Sequence, residues 1–108
     1  MSEMSWNPSI GDPDHLIYML LHSDRFPPAF NAGYYHNPKV DELLNAARTT
    51  FDDAKRTEYY LNAQRLIVED APWIFVDHGN QIIVKNKRIK GYKLSPNFDF
   101  YFKHVSLD

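Results

Sequence analysis

The chain has 108 residues, 44% of them hydrophobic and 24% charged, which is the composition of one ordinary globular domain at most. A formal net charge of −2 lowers the expectation of a nucleic-acid binder, because such proteins usually show a basic balance or a dominant basic face. The absence of cysteine excludes disulfide scaffolds and thiol catalysis. We also expect no membrane span, which needs an apolar run of roughly 18 residues, and no signal peptide in this sequence.

Helical signals dominate the first two-thirds of the chain. Asp12-Pro13 and Asn37-Pro38 each combine a side chain that can accept a backbone N–H with a proline that has no N–H to leave unpaired. Asp52 is the predicted N-cap of a third and longer helix. The predicted helices cover residues 13–22, 38–48 and 53–70.

Each predicted helix has one apolar face, formed by residues that recur at a spacing of three or four positions. This spacing predicts which side chains enter the core. They are Leu16, Ile17, Leu20 and Leu21 in the first helix, Val40, Leu43, Leu44 and Ala47 in the second, and Tyr60, Ala63, Ile67 and Ala71 in the third.

The pattern changes from helix to strand after Pro72, which ends the third helix. Two short apolar runs on either side of a Gly-containing turn predict a β-hairpin near residues 73–85. We expect Trp73, which begins this stretch, to be buried, and we expect a terminal strand within residues 102–107. Helices followed by strands predict an α+β fold.

Patterns for catalysis and metal binding are weak. The five histidines contain no pair at i, i+4, and Ser9 lacks the leading glycine of a nucleophile elbow. Carboxylate pairs such as Asp52-Asp53 and Glu69-Asp70 lie at helix ends, where capping and solvated roles are commoner than catalysis. We therefore predict no catalytic residue, no metal and no cofactor, and keep a hydrolase using Ser9 or a carboxylate pair as the less favoured alternative.

Residues 85–93 form a basic segment with one aromatic residue, Tyr92. This composition is a weak signal for nucleic-acid binding, and lysines at a strand edge also discourage edge-to-edge pairing. With a net negative chain we favour the strand edge, predict no nucleic-acid partner, and keep a small stand-alone interaction domain as an alternative.

Two segments, residues 6–9 and 31–36, place aromatic and hydrogen-bonding side chains in predicted turns. Loops of this kind hold binding residues more often than core elements do. Tyr34 and Tyr35 can equally cover the core, so the residue types alone leave both roles open.

Four groups of residues occur in a characteristic order from about residue 3 to residue 108. They are Trp6 with Gly11-Asp12-Pro13-Asp14; Asn31, Tyr35, Asn37-Pro38, Asp41 and Leu43-Leu44; Lys55-Arg56, Ala63-Gln64, Ile67 and Asp70-Ala71-Pro72-Trp73-Ile74; and Ile89-Lys90-Gly91-Tyr92 with Val105-Ser106-Leu107. In this order they resemble the family 5 extracellular solute-binding proteins, which include dipeptide, oligopeptide, nickel and glutathione receptors.

The resemblance implies the C-terminal portion of a two-lobed periplasmic-binding-protein type II fold. Residues 1–11 would form a hinge strand and a cleft loop, residues 12–72 the helical part, and residues 73–108 the strands. The full receptor would be the substrate-binding component of an ABC importer and would work in the periplasm or outside the cell. Whether it would also carry a membrane anchor stays open. Its expected partners are a small peptide-like solute, an ABC permease and the remainder of the receptor chain. An isolated segment is expected to form oligomers or to swap a strand.

The resemblance also implies a set of substrate-binding residues. Trp6 would stack on the solute or form part of the cleft wall. Asn7 and Ser9 would offer hydrogen bonds. Asn31 and Tyr35 would lie near the cleft or support it. Peptide-binding relatives carry an aspartate at the position of Ser9, where it pairs with the ammonium group of the peptide. A serine cannot neutralise a buried cation, so glutathione, modified peptides, opine-like compounds, sugars and metal chelates all stay open as solutes.

Overall fold

The computed structural model describes Trp6 and residues 10–76, 80, 82–95 and 100–108. Three helices come first: α1 (Asp14–Leu21), α2 (Pro38–Thr49) and α3 (Asp53–Asp70), with a 3₁₀ turn (Ser23–Arg25) after α1. A two-stranded antiparallel sheet follows, made of β1 (Ile89–Lys90) and β2 (Ser106–Leu107). The described part of the chain therefore has the α+β order predicted from the sequence.

Helices α2 and α3 begin where the capping residues predict. The Asn37 side-chain oxygen accepts a hydrogen bond from the Lys39 backbone N–H at 3.0 Å. One carboxylate oxygen of Asp52 accepts from the backbone N–H groups of Ala54 and Lys55, at 3.0 and 3.1 Å. These bonds satisfy N–H groups that have no partner inside the first turn.

Helix α1 begins one residue later than predicted, at Asp14. Pro13 occupies the N-cap position with φ −54° and ψ −31°, and it has no side chain that could accept a hydrogen bond. Asp12 still acts from one residue further upstream, because its Oδ1 accepts from the Asp14 backbone N–H at 2.9 Å.

Helix α3 ends at Asp70 because the next residue leaves the right-handed region. Ala71 has φ 45° and ψ 51°, and its N–H still donates to the Ile67 carbonyl at 3.0 Å. Pro72 follows and cannot continue the helix. The prediction that Ala71 belongs to the buried face is wrong: the left-handed turn leaves Ala71 exposed.

The core lies between the three helices. Its buried apolar residues are Ile17, Tyr18, Leu20, Leu21, Val40, Leu44, Ala47, Tyr60, Ala63 and Ile67. Ala47 and Ala63 are fully buried, and their small side chains allow α2 and α3 to approach closely. Two predicted core residues lie at its edge instead: Leu43 is half-buried and Leu16 is exposed.

The C-terminal third differs from the prediction. No described residue within 73–85 lies in a strand, and the terminal strand at Ser106–Leu107 pairs with Ile89–Lys90. An isolated hairpin is marginal in water because it buries too little apolar surface. Five apolar side chains of the expected hairpin are exposed: Ile74, Phe75, Val76, Ile82 and Val84.

Trp73 is half-buried and packs against the helical core, so the prediction that it is buried is correct only in part. The loop before α2 approaches this ring: a Cβ placed on Gly33 would lie 3.4 Å from Trp73 Nε1. The radius of gyration is 17.7 Å, against about 13 Å for a compact domain of this length. The chain therefore extends well beyond its helical core.

Candidate functional site

Trp6 is fixed against the start of α1. Its indole Nε1 donates a hydrogen bond to the His15 carbonyl at 2.9 Å, and its ring lies 5.8 Å from the His15 ring. The Phe30 ring meets Trp6 edge-on, with centroids 5.1 Å apart and an interplanar angle of 68°. Since the indole N–H already has a partner, Trp6 can offer a ligand mainly its aromatic surface.

Asn7 and Ser9, the other two predicted binding residues of this segment, lie outside the described residues, as do residues 1–5. The predicted hinge strand is therefore represented by Trp6 and the residues from Ile10 onward. The hydrogen-bonding roles of Asn7 and Ser9 stay predictions.

Asn31 is fully buried and is bonded entirely within its own loop. Its Nδ2 donates to the carbonyls of His22 (3.1 Å) and Tyr35 (2.8 Å), and its Oδ1 accepts from the Tyr35 N–H at 3.1 Å. Its backbone N–H donates to the Arg25 carbonyl at 2.7 Å. Of the two roles expected for Asn31, these bonds favour support of the loop over direct contact with a solute.

Tyr35 connects the same loop to the end of α3. Its hydroxyl donates to Asp70 Oδ2 at 2.6 Å, and Asn37 Nδ2 donates to the same oxygen at 2.6 Å. Burial raises the pKa of Tyr35, and the hydrogen bond to Asp70 raises it further. The two donated hydrogen bonds lower the pKa of Asp70. They stabilise a carboxylate at a helix C-terminus, where the helix dipole alone would disfavour it.

Two aromatic residues of this loop, Phe30 and Tyr34, are exposed. Phe30 is 48% exposed and touches Trp6, while Tyr34 is 63% exposed and lies 5.4 Å from the Phe26 ring. Tyr34 also has φ 52°, in a region that costs a residue with a Cβ about 1–2 kcal/mol. The surrounding hydrogen bonds hold the loop in this strained shape. Tyr34 was identified in the sequence as an aromatic loop residue, whereas Phe30 was not singled out.

A second polar group contains a serine, a histidine and an aspartate, and it does not have the order of a catalytic triad. Ser23 Oγ donates to Asp41 Oδ2 at 2.6 Å, so the hydroxyl is bonded to the carboxylate. His22 Nδ1 accepts from the Asp24 backbone N–H at 3.0 Å, and its Nε2 lies 3.8 Å from Asp41 Oδ1. A nucleophilic serine requires its hydroxyl on an imidazole nitrogen. This group instead braces the turn between α1 and α2.

Two ion pairs hold the start of α1 and the residue two positions before it. Arg56 Nη2 lies 2.8 Å from Asp12 Oδ1, and Arg48 Nε lies 3.3 Å from Asp14 Oδ1. The hydrogen bond from Arg56 lowers the pKa of Asp12 and raises that of Arg56. The carboxylates of Asp12 and Asp14 are therefore both paired with arginines of the helices.

Within the part of the chain that the structure describes, no group of three or more His, Cys, Asp or Glu side chains is placed to hold a metal ion. The same residues include no helix with the length and apolar character needed to cross a membrane.

No family model matches the chain. Curated relatives do match it. It is 36% identical to the glutathione-binding protein GsiB of Pectobacterium atrosepticum over 104 residues, covering 94% of this chain and 20% of the relative. Identity is 32% over 103 residues to GsiB of Escherichia coli K12, with the same two coverages. It is 31% over 98 residues to the probable D,D-dipeptide-binding periplasmic protein DdpA of the same strain, covering 91% of this chain and 19% of the relative.

The chain belongs to the family 5 extracellular solute-binding proteins. It spans about a fifth of the length of the curated relatives it matches, within their C-terminal portion. In this family 5 chain, several residues that carry the resemblance form internal connections: Asp12 with Arg56, Asn31 with the backbone of Tyr35, and Tyr35 with Asp70. These residues therefore contribute to the framework of the described fold.

Proposed function

We propose that this chain is part of the substrate-binding component of an ABC importer. The receptor would capture a peptide-like solute outside the cytoplasmic membrane, in the periplasm or extracellular space, and deliver it to a permease. The observation that carries the proposal is the match over 94% of the chain to proteins named for binding glutathione, together with the match to one named for D,D-dipeptides. Both named ligands are small peptides or close analogues, which supports a peptide-like solute here.

The geometry around Trp6 supports binding by preorganised contacts. The indole is fixed by its hydrogen bond to His15, and the neighbouring loop is fixed by the buried side chain of Asn31. A wall that is rigid before binding loses little conformational entropy when a solute arrives. Trp6 would supply the aromatic surface, with Asn7 and Ser9 beside it as hydrogen-bonding groups. Asn31 and Tyr35 would position the loop.

In this proposal the chain supplies one wall of a cleft between two lobes, and the remainder of the receptor supplies the rest. The exposed apolar side chains between residues 74 and 84 and the large radius of gyration are consistent with further protein packing there. Closure of two lobes over a solute is a common binding motion of this architecture.

The two alternatives have less support. The hydrolase alternative uses Ser9, which lies outside the described residues, or a carboxylate pair. In the two pairs at helix ends, Asp52 caps α3 and Asp70 accepts from Tyr35 and Asn37, which favours structural roles for these carboxylates. A stand-alone interaction domain would use the basic segment 85–93. Several of its cations contact the chain itself: Lys90 lies 3.5 Å from the Asp108 carboxylate, and Arg88 Nε donates to the Asp108 carbonyl at 2.6 Å. These contacts favour a role at the edge of the sheet.

Titration calorimetry tests the proposal. Glutathione and D-alanyl-D-alanine would be titrated into the 108-residue chain and into a chimera in which the chain replaces the matching segment of E. coli GsiB. We expect the chimera to bind a ligand of this class, and Trp6→Ala to weaken binding at least about tenfold, as expected for an aromatic contact worth about 1.4 kcal/mol. Phe51→Ala is the control, because Phe51 is fully exposed just before α3. A chimera that melts cooperatively but binds no ligand, or that hydrolyses one, would overturn the proposal.

A further inference from the structure

Phe30 is placed as a surface residue beside Trp6. Its ring is 48% exposed although it meets Trp6 at a centroid distance of 5.1 Å. Trp6 is itself half-buried and packs against the buried core. Contact with Trp6 therefore leaves about half of the Phe30 side chain open to solvent. Exposed aromatic groups on a fixed loop are typical of binding surfaces.

The backbone around Phe30 is held on both sides. The Phe30 carbonyl accepts from the Ala32 N–H at 2.8 Å, and the Ala29 N–H donates to the Phe26 carbonyl at 3.0 Å. The next residue, Asn31, is fully buried with every side-chain polar atom bonded. Phe30 therefore projects from a rigid segment, and contact with a ligand would cost little loop entropy.

The two rings that form this corner, Trp6 and Phe30, offer a ligand apolar surface. The only polar atom of the Trp6 ring is committed to the His15 carbonyl, and Phe30 has none. The carboxylates of Asp12 and Asp14 are engaged by Arg56 and Arg48 and so are held elsewhere. Two aromatic surfaces at 68° to each other can make stacked or edge contacts with a hydrocarbon group.

We propose that Phe30 is a specificity-determining residue of this receptor, and that it contacts an apolar or aromatic side group of the peptide-like solute next to Trp6. The inference rests on the proposed function and narrows its substrate class to peptides or peptide derivatives with a hydrophobic substituent. Phe30 sets which solute is preferred, while Asn31 sets where Phe30 lies.

The test compares ligands that differ only in an apolar group: glutathione with S-benzylglutathione, and Ala-Ala with Ala-Phe. Affinities would be measured for the full 108-residue chain and for the same chain in the GsiB chimera. The wild type is expected to prefer the aromatic member of at least one pair. Phe30→Ala should reduce that preference about tenfold, and Phe30→Leu should reduce it less because packing on Trp6 is retained. Phe51→Ala should leave the ratio unchanged.

A second readout follows Trp6 directly. In the 108-residue chain carrying Trp73→Phe, Trp6 is the only tryptophan, and the aromatic ligand should change its fluorescence. Folded Phe30 variants with an unchanged affinity ratio would overturn the inference and leave the proposed function standing, as would binding without any change in Trp6 emission. A wild type that binds no member of either pair would overturn both.

Discussion

Arg56 Nη2 lies 2.8 Å from Asp12 Oδ1 and 3.0 Å from Asp12 Oδ2, so one guanidinium nitrogen of α3 holds the carboxylate that precedes α1. The same arginine donates through Nε to the Ala47 carbonyl of α2 at 3.3 Å. Asp12 also accepts from the Asp14 backbone N–H. One pair of side chains therefore connects all three helices across 44 positions of sequence.

The first prediction concerns this pair. Arg56→Met should lower the free energy of unfolding by about 1–2 kcal/mol, since charge-assisted bonds are lost but both groups are partly screened by solvent. Because Arg56 lowers the pKa of Asp12 in the folded state, its contribution is present above about pH 4 and is lost as pH falls through the folded pKa. Urea unfolding from pH 2 to pH 7 measures both effects.

The matched control is Arg65→Met on the same helix, because Arg65 is exposed and hydrogen-bonds Asn62 within α3. It should change the stability by no more than about 0.5 kcal/mol. Equal losses in the two variants, with the same acid dependence, would show that the connection to Asp12 is not what stabilises the fold.

The second prediction concerns Asn31. Asn31→Ala should cost about 3 kcal/mol or more, because it leaves the His22 carbonyl and both backbone groups of Tyr35 without their buried partner. Asn31→Asp should not rescue stability, since a carboxylate cannot donate to the two carbonyls. Asn45→Ala, at an exposed position of α2, is the control. A loss below 1 kcal/mol, measured by urea unfolding, would contradict a supporting role for Asn31.

The sequence predicted those features that depend on neighbouring residues. The starts of α2 and α3 follow from Asn37 and Asp52, because each cap bonds to an N–H two or three positions away. The predicted hairpin failed because two short strands alone bury too little apolar surface, and the sheet that does form pairs strands distant in sequence. Ile89 pairs with Leu107 across the C-terminal third, and no local pattern specifies that register.

The candidate site was predictable only in part, because its contacts also join residues distant in sequence. The aromatic and amide residues of the loop marked a region of interest, but the type of a residue does not show whether its hydrogen bonds are satisfied. Asn31 proved to be bonded internally, which follows only from the folded positions of His22 and Tyr35. Phe30 was not singled out, because its contact with Trp6 joins residues 24 positions apart.

The third prediction concerns Tyr35 and Asp70. The hydrogen bond from the Tyr35 hydroxyl is the leading cause of the lowered pKa of Asp70, so Tyr35→Phe should raise that pKa toward its ordinary value. Asn37→Ser should raise it less, since the tyrosine donor remains. NMR titration of the Asp70 carboxyl carbon measures the shift. An unchanged Asp70 pKa in Tyr35→Phe would contradict the hydrogen bond.

The last prediction concerns the exposed apolar side chains of residues 74–84. Val76 is 86% exposed and Val84 is 95% exposed, in a β-branched segment whose described residues form no ladder. Such segments pair with other chains when nothing covers them. We therefore expect the 108-residue chain to self-associate in a concentration-dependent way, as followed by gel filtration with light scattering.

The double substitution Val76→Lys and Val84→Lys should shift the chain toward monomer, because the charges oppose pairing. Val68→Lys, which places the same charge on the exposed face of α3, should not. A wild-type chain that stays monomeric at about 100 μM, a concentration at which exposed apolar segments commonly associate, would show that this segment does not pair with other chains.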